Sequence, residues 1–400
     1  MTSPERSRLL SGTAVVVPAD GLDAKLALGR PLRVKLGLDP TATDVTLGWA
    51  VVLRKLRQFQ DAGHAAVLIV GDFTARVGDP SGKSETRPRL DKAVVREYAE
   101  RLLGQFAKIL SRERLEVRYN SEWLEPMDME TVLRLTATTT VARMLERDDF
   151  AKRYARGRPI SIMEFLYPLL QGMDSVAVQA DVELGGSDQL FNLLAGRDVQ
   201  RAFGQEPQVA LTMPLLIGID GEQKMSQSLG NYVGIEEPAD DMFGKLMRIP
   251  DELVVEYLRL CTDDDPGEVD RIRAEMEGGL RPDIAKRRMA REVVDLYHGA
   301  GEGSSAEHRF DRVHRDRELP ETLQEAAIPP SAVRNGTVWL PRLIAELRLL
   351  SSNAEGRRMV EQGGVRLDGT PVTDPGAEFP VGDLRGKVLG LGSRTFVRLT

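Results

Sequence analysis

Three short segments hold side chains whose types and spacing could do chemistry: Gly78-Asp79-Pro80-Ser81-Gly82-Lys83, Gly185-Gly186-Ser187-Asp188-Gln189 and Lys224-Met225-Ser226-Gln227-Ser228. The first invites a P-loop reading, in which the backbone N–H groups of a glycine-rich loop cradle phosphates and a lysine reaches them. That motif needs another glycine where Val77 stands, so the template fails. The second segment invites a nucleophile elbow, but Gln189 occupies the place of the closing glycine. Metal chemistry has little to draw on. Cys261 is the only cysteine, and His64, His298, His308 and His314 show no zinc-ligand pairing with carboxylates, so no structural metal is expected.

The elements that must position these segments read as alternating strands and helices. Leu32–Leu38 predicts a strand that ends in the turn Asp39-Pro40-Thr41. Leu47 to Gln60 then places Val51, Val52, Leu56 and Phe59 at helical spacing, with Arg54, Lys55 and Arg57 expected outward. Ala65–Val70 predicts a buried strand, which completes a right-handed βαβ unit with Asp39 and Gly71-Asp72 at the strand ends where ligands bind in such sheets. Further helices are expected over Leu90–Leu110 and Met129–Arg153, and further strands over Val182–Leu184 and Leu211–Ile219. Beyond Asn231 acidic helices dominate, prolines at 320, 329 and 330 mark a linker, and a small unit follows with helices from Leu340 and around Ala354–Gln362.

Composition bounds the rest. The net charge of −7 argues against a uniformly basic nucleic-acid coat, although residues 336–400 carry nine Arg/Lys against seven Asp/Glu. The longest apolar run, Ala65–Val70, is far short of the roughly 20 residues that span a bilayer, so no membrane partner is expected. Met1–Leu10 lacks a basic start followed by an apolar stretch, which makes the cytoplasm the expected compartment.

Taken in order, the motifs resemble those of bacterial-type tyrosyl-tRNA synthetases over nearly the whole chain. They run LGLDPTATD at 36–44, VVLRKLRQFQDAGH at 51–64, VGDPSGKSETRP at 77–88 and TVARMLERDDF at 140–150. EFLYPLLQGMDS at 164–175, DVELGGSDQLFNLL at 181–194 and LTMPLLIGIDGEQKMSQSLGNY at 211–232 follow, and QGGVRLDG at 362–369 is similar to an S4 RNA-binding unit. The resemblance implies an α/β fold: a Rossmann-like class I catalytic domain over 1–235 with inserted dimerisation helices, an α-helical anticodon-binding domain over 236–328, and an S4-like α+β domain over 336–400. It also implies a homodimer that joins tyrosine to ATP, supplied as its Mg2+ complex, and passes the tyrosyl group to tRNA-Tyr.

Family roles carry over residue by residue. Tyr167, Gln171 and Asp174 match the amino-acid pocket, where Gln171 would help hold the ammonium and Asp174 would accept from the phenol hydroxyl. Asp79 and Gln189 would also surround the ammonium. Asp39 and Asp188 match positions near the adenylate and its ribose, with Gly186 beside them, and Thr41 one near the phosphates. Lys83, Arg87 and Lys224 would supply positive charge to the reacting phosphates. Lys35 stands where many members carry tyrosine; it could neutralise a carboxylate, bind a phenolate or snorkel outward. Met173, beside Asp174, reads as core filler.

The sequence also departs from the family. Its His-x-Gly-His signature reads Thr46-Leu47-Gly48-Trp49, which keeps the glycine and loses both histidines. Its Lys-Met-Ser-Lys-Ser loop keeps Lys224 but has Gln227 as the second lysine. Thr46 can offer one neutral hydrogen bond, Trp49 an indole donor and much more volume. Weakened tyrosine activation is the leading expectation. The alternatives are a catalytically disabled paralogue that binds RNA or an amino acid, and a repurposed amino-acid activator.

Overall fold

The computed structural model describes residues 3–78, 91–314, 323–392 and 395–400. It falls into two compact units, Met1–Ala300 and Gly301–Thr400. In the first, six strands form one sheet: β1 (Val15–Val17), β2 (Arg33–Leu38), β3 (Ala65–Val70), β4 (Leu115–Tyr119), β5 (Val182–Gly186) and β6 (Val209–Met213). Their order is β1-β6-β5-β2-β3-β4, with β1 antiparallel to β6 and every other pairing parallel. The order reverses between β2 and β5, which opens a crevice at the carboxyl ends of those strands. Central parallel strands are covered on both faces, hence the unbroken apolar run of β3, in which all residues but the first are buried.

Helix Leu47–Asp61 crosses from β2 to β3 and buries Leu53, Leu56 and Phe59 against the sheet. One of its residues departs from expectation. Lys55 is buried, because its Nζ donates to the carbonyls of Arg8 (3.1 Å) and Ser11 (2.8 Å) and to Gln58 Oε1 (2.6 Å). The N-terminal helix Ser3–Leu10 thus ends on a lysine whose pKa is lowered to about 7 by burial and by the charge of Arg8. The helix expected over Met129–Arg153 is three: Met129–Thr136, Val141–Met144 and Asp148–Ala155. Thr140 ends the continuity, since its hydroxyl caps the second helix at Arg143 N.

Helix Ile162–Ala177 starts at a capping box, Ser161 with Glu164, and lies against helix Leu190–Ala202. Gly172 allows that approach: a Cβ there would meet Val199 Cγ2 at 2.8 Å and Gly196 Cα at 3.2 Å. Beyond β6 the first unit turns helical, over Ala239–Leu246, Val254–Cys261, Pro266–Glu277 and Pro282–His298, the last two with proline in the first turn. The second unit pairs helices Leu340–Glu346 and Asn353–Glu361 with a five-stranded and a three-stranded sheet around Val338, Leu343, Ile344 and Leu389. Its hairpin turns at Asp368-Gly369, both at positive φ. Among the described residues no helix is long and apolar enough to cross a membrane.

Candidate active site

A cavity of about 280 Å³ opens at the crevice between β2 and β5. Asp39 enters it from the end of β2, Gly71 and Thr74 from the end of β3, and Gly186, Asp188 and Gln189 from the end of β5. Helix Ile162–Ala177 adds Tyr167, Gln171 and Asp174, which fall on one face because they are four and three residues apart. The first turn of helix Leu47–Asp61 contributes Gly48 and Trp49, and the positive end of the helix dipole makes that end of the cavity receptive to anions.

The floor is one connected hydrogen-bond network. Tyr167 OH donates to Asp39 Oδ2 at 2.9 Å and Thr74 Oγ1 to Asp39 Oδ1 at 2.7 Å. Asn120 Nδ2 donates to Thr74 Oγ1 at 2.9 Å and to Asp174 Oδ2 at 3.4 Å, while Trp123 Nε1 donates to Asp174 Oδ1 at 2.9 Å. Gly71 makes this possible, since a Cβ at that residue would stand 2.1 Å from Asp39 Oδ1. Burial pushes the Asp174 carboxyl up to about 7, against the opposing pull of the Lys35 charge and the two donors.

Lys35 takes the first of its three expected roles. It is wholly buried and paired with Glu183 Oε1 at 2.9 Å, and its other N–H groups go to Ser175 Oγ (2.7 Å) and the Gln171 carbonyl (2.9 Å). All three ammonium hydrogens are spent inside the protein, so it neither snorkels nor reaches a phenolate.

Segment 224–228 lies over the helix N-terminus. Lys224 Nζ pairs with Asp188 Oδ2 at 2.8 Å and lines the cavity. Met225 packs on Gly48, where an added Cβ would meet Met225 Cβ at 3.5 Å. Gln227 Nε2 donates to the Asp44 carbonyl, and Ser226 N donates to Asn231 Oδ1 at 2.8 Å.

The structure therefore gathers Asp39, Thr41, Gly48, Trp49, Tyr167, Gln171, Asp174, Gly186, Asp188, Gln189 and Lys224 around one space. Thr46 stands apart. As N-cap it is buried, and its Oγ1 faces back to Trp49 N at 3.4 Å, serving the helix rather than the cavity. Met173 is buried among Leu169, Val199 and their neighbours as core. Asp79, Lys83 and Arg87 lie outside the described residues. Sequence reasoning missed Asn120, Trp123, Thr74 and Glu183. The position of Asn120, directly after a parallel strand, was the one available signal.

A crevice at a strand-order reversal, a buried carboxylate at its end and a lysine-bearing loop at its mouth define a class of α/β enzymes that bind nucleotides, and sequence comparison gives that class a family. The profile of the class I tRNA synthetases (W and Y) matches residues 27–315, and that of the S4 domain matches residues 338–384. The chain is 51% identical over 396 residues to a tyrosine–tRNA ligase of Moorella thermoacetica, covering 98% of itself and 94% of that protein. It is 46% identical to a tyrosine–tRNA ligase of Thermotoga maritima, covering 100% of itself and 98% of that protein. In fold it is similar to the tyrosyl-tRNA synthetase of Archaeoglobus fulgidus complexed with L-tyrosine, with a TM-score of 0.63 at 20% identity over 76% of this chain and 99% of that one. The chain belongs to the tyrosine–tRNA ligases.

Proposed function

We propose that the cavity binds tyrosine and ATP, the latter with Mg2+ as its substrate complex, forms tyrosyl-adenylate and passes the tyrosyl group to tRNA-Tyr. The observation that carries this reading is Asp174, a buried acceptor on the cavity wall whose two oxygens each already hold one donor and keep lone pairs for a phenol. A site built to accept from a hydroxyl rejects an analogue that lacks it, because the acceptor is then left buried and unpaired. Gln171 and Gln189 supply amide oxygens for the ammonium. Asp188 faces the nucleotide sugar, and Lys224 and the helix N-terminus face the phosphates. Calorimetry without ATP tests the pocket: tyrosine binds at least tenfold more tightly than phenylalanine, on the order of 1.4 kcal/mol. Equal affinities contradict the assignment of Asp174.

Two residues favour a slower enzyme than the family pattern alone. Trp49 fills part of the cavity wall at a signature histidine position, and Gln227, neutral and tied to the Asp44 carbonyl, replaces a cation. Losing one preorganised donor to a transition state costs about 10²–10³ in rate. Homodimer formation is supported by an unusual run of exposed apolar side chains within 129–162. Met129, Leu133, Val141, Tyr154 and Ile162 are each more than 60% exposed, a density that marks an association surface. The S4 unit supports RNA binding, with Arg357 and Arg358 exposed on its second helix. These substrates and this pairing of units suit a cytoplasmic enzyme of translation.

A further inference from the structure

We infer that Glu183, clamped by the buried Lys35, is a positioning residue that fixes which end of the Gln171 amide faces the substrate and so sets recognition of the substrate's ammonium. The inference rests on the reading of Gln171 as an ammonium partner. A glutamine amide has two ends of similar shape and opposite function: Oε1 accepts from an ammonium, while the NH2 group repels it. Rotation of the terminal amide exchanges them, so a bare glutamine in the wall discriminates poorly. Here Gln171 Nε2 donates to Glu183 Oε1 at 3.0 Å. A carboxylate can only accept, which forbids the rotated amide and leaves Gln171 Oε1 on the side away from Glu183, without a hydrogen bond to a described residue.

Glu183 can play this part only if its charge is held in place without solvent, and four donors do so. Lys35 Nζ and Gln171 Nε2 meet Oε1, while Ser175 Oγ (3.1 Å) and Gln208 Nε2 meet Oε2. Both Lys35 and Glu183 are fully buried, so the pair is rigid and dry. Lys35 adds a further tether through the Gln171 carbonyl at 2.9 Å, which fixes the backbone from which the amide projects. The pair spans β2 and β5, the two strands between which the cavity opens. It lies behind the wall and touches no substrate.

Two ligands separate positioning from mere packing: tyrosine, and 3-(4-hydroxyphenyl)propionate, which lacks only the ammonium. The key variant is Lys35→Met with Glu183→Leu, which removes both charges together and so leaves no lone buried ion. Glu183→Gln, which keeps volume, is the milder companion should the double variant not fold. By calorimetry on the full chain, the double variant loses about tenfold or more in tyrosine affinity, the range of a hydrogen bond to a charged group, while the propionate binds within about twofold of wild type. Glu183→Gln shifts the same ratio in the same direction by less. Equal weakening of both ligands, or an unchanged ratio, overturns the positioning role. Gln171→Leu in the same assay keeps the two ideas apart. If it abolishes the ammonium preference while the double variant does not, Gln171 reads the ammonium without help from Glu183. If it leaves the preference intact, the underlying reading of Gln171 fails.

Discussion

Asp174 is surrounded by groups that push its proton in opposite directions. Burial favours the neutral acid, whereas Lys35, Trp123 and Asn120 favour the carboxylate, and the balance stands at about 7. Between the ordinary carboxylate range and about pH 7 the folded protein therefore keeps a proton that the unfolded chain has lost. The contribution of this residue to stability is full below that window and falls as pH rises through it. Binding runs the other way, since the carboxylate is the better acceptor for a phenol. Tyrosine affinity should rise by about tenfold from pH 6 to pH 8, and the rise should vanish in Asp174→Asn. Calorimetry across that range checks both, and a flat wild-type profile contradicts them. Asp39, Tyr167, Gln171 and Asp174 could be found in the sequence because their motifs are short and contiguous. Trp123, Asn120 and Thr74 could not, because they meet Asp174 and Asp39 from the segments after β4 and β3, at least 35 residues away in the sequence. Lys35 could be flagged but not resolved, since a lysine on an apolar strand is compatible with pairing or snorkelling until Glu183 is seen opposite it.

At the scale of elements, the loop over residues 224–228 and the first turn of helix Leu47–Asp61 act as one lip of the cavity. Met225 rests on Gly48, and Gln227 holds the Asp44 carbonyl just ahead of that helix. Both altered signatures therefore meet at the same edge, although they stand some 180 residues apart in the sequence. Restoring Thr46→His, Trp49→His and Gln227→Lys together should raise tyrosine-dependent pyrophosphate exchange by about 10²-fold or more, roughly 3 kcal/mol of transition-state stabilisation. Trp49→His alone should lower the KM for ATP by making room, and Gln227→Lys alone should not, because the phosphates are held from both sides at once. A silent triple variant would mean that the cavity has diverged beyond these positions. Strands, turns and the crossover helix were legible from apolar period and turn residues. The break at Thr140 was not, because the local spacing of apolar residues runs on through it, and the burial of Lys55 was not, because only the docked N-terminal helix supplies its acceptors.

For the whole molecule, the division into two units places the cavity in the first and the S4 match in the second. The strand Gln324–Ala326 pairs with Thr395–Leu399, so a clean truncation removes residues 323–400 rather than only the helices and hairpin. That truncation should weaken tRNA binding in a salt-dependent way and leave tyrosine affinity unchanged, as read by filter binding and calorimetry. An unchanged tRNA affinity would assign Arg357, Arg358 and the rest of the exposed charge to solubility alone. The slope of that salt dependence reads how many of the nine Arg/Lys residues in 336–400 meet phosphates.

In this reading the cavity still activates tyrosine although both signature histidines and the second loop lysine are gone. Tyrosine-dependent ATP–pyrophosphate exchange by the purified full-length protein measures that step without tRNA. The expected result is slow exchange that requires tyrosine, is not supported by phenylalanine and falls further in Lys224→Ala. Exchange no greater with tyrosine than without any amino acid would contradict it and leave a protein that binds its ligands without joining them.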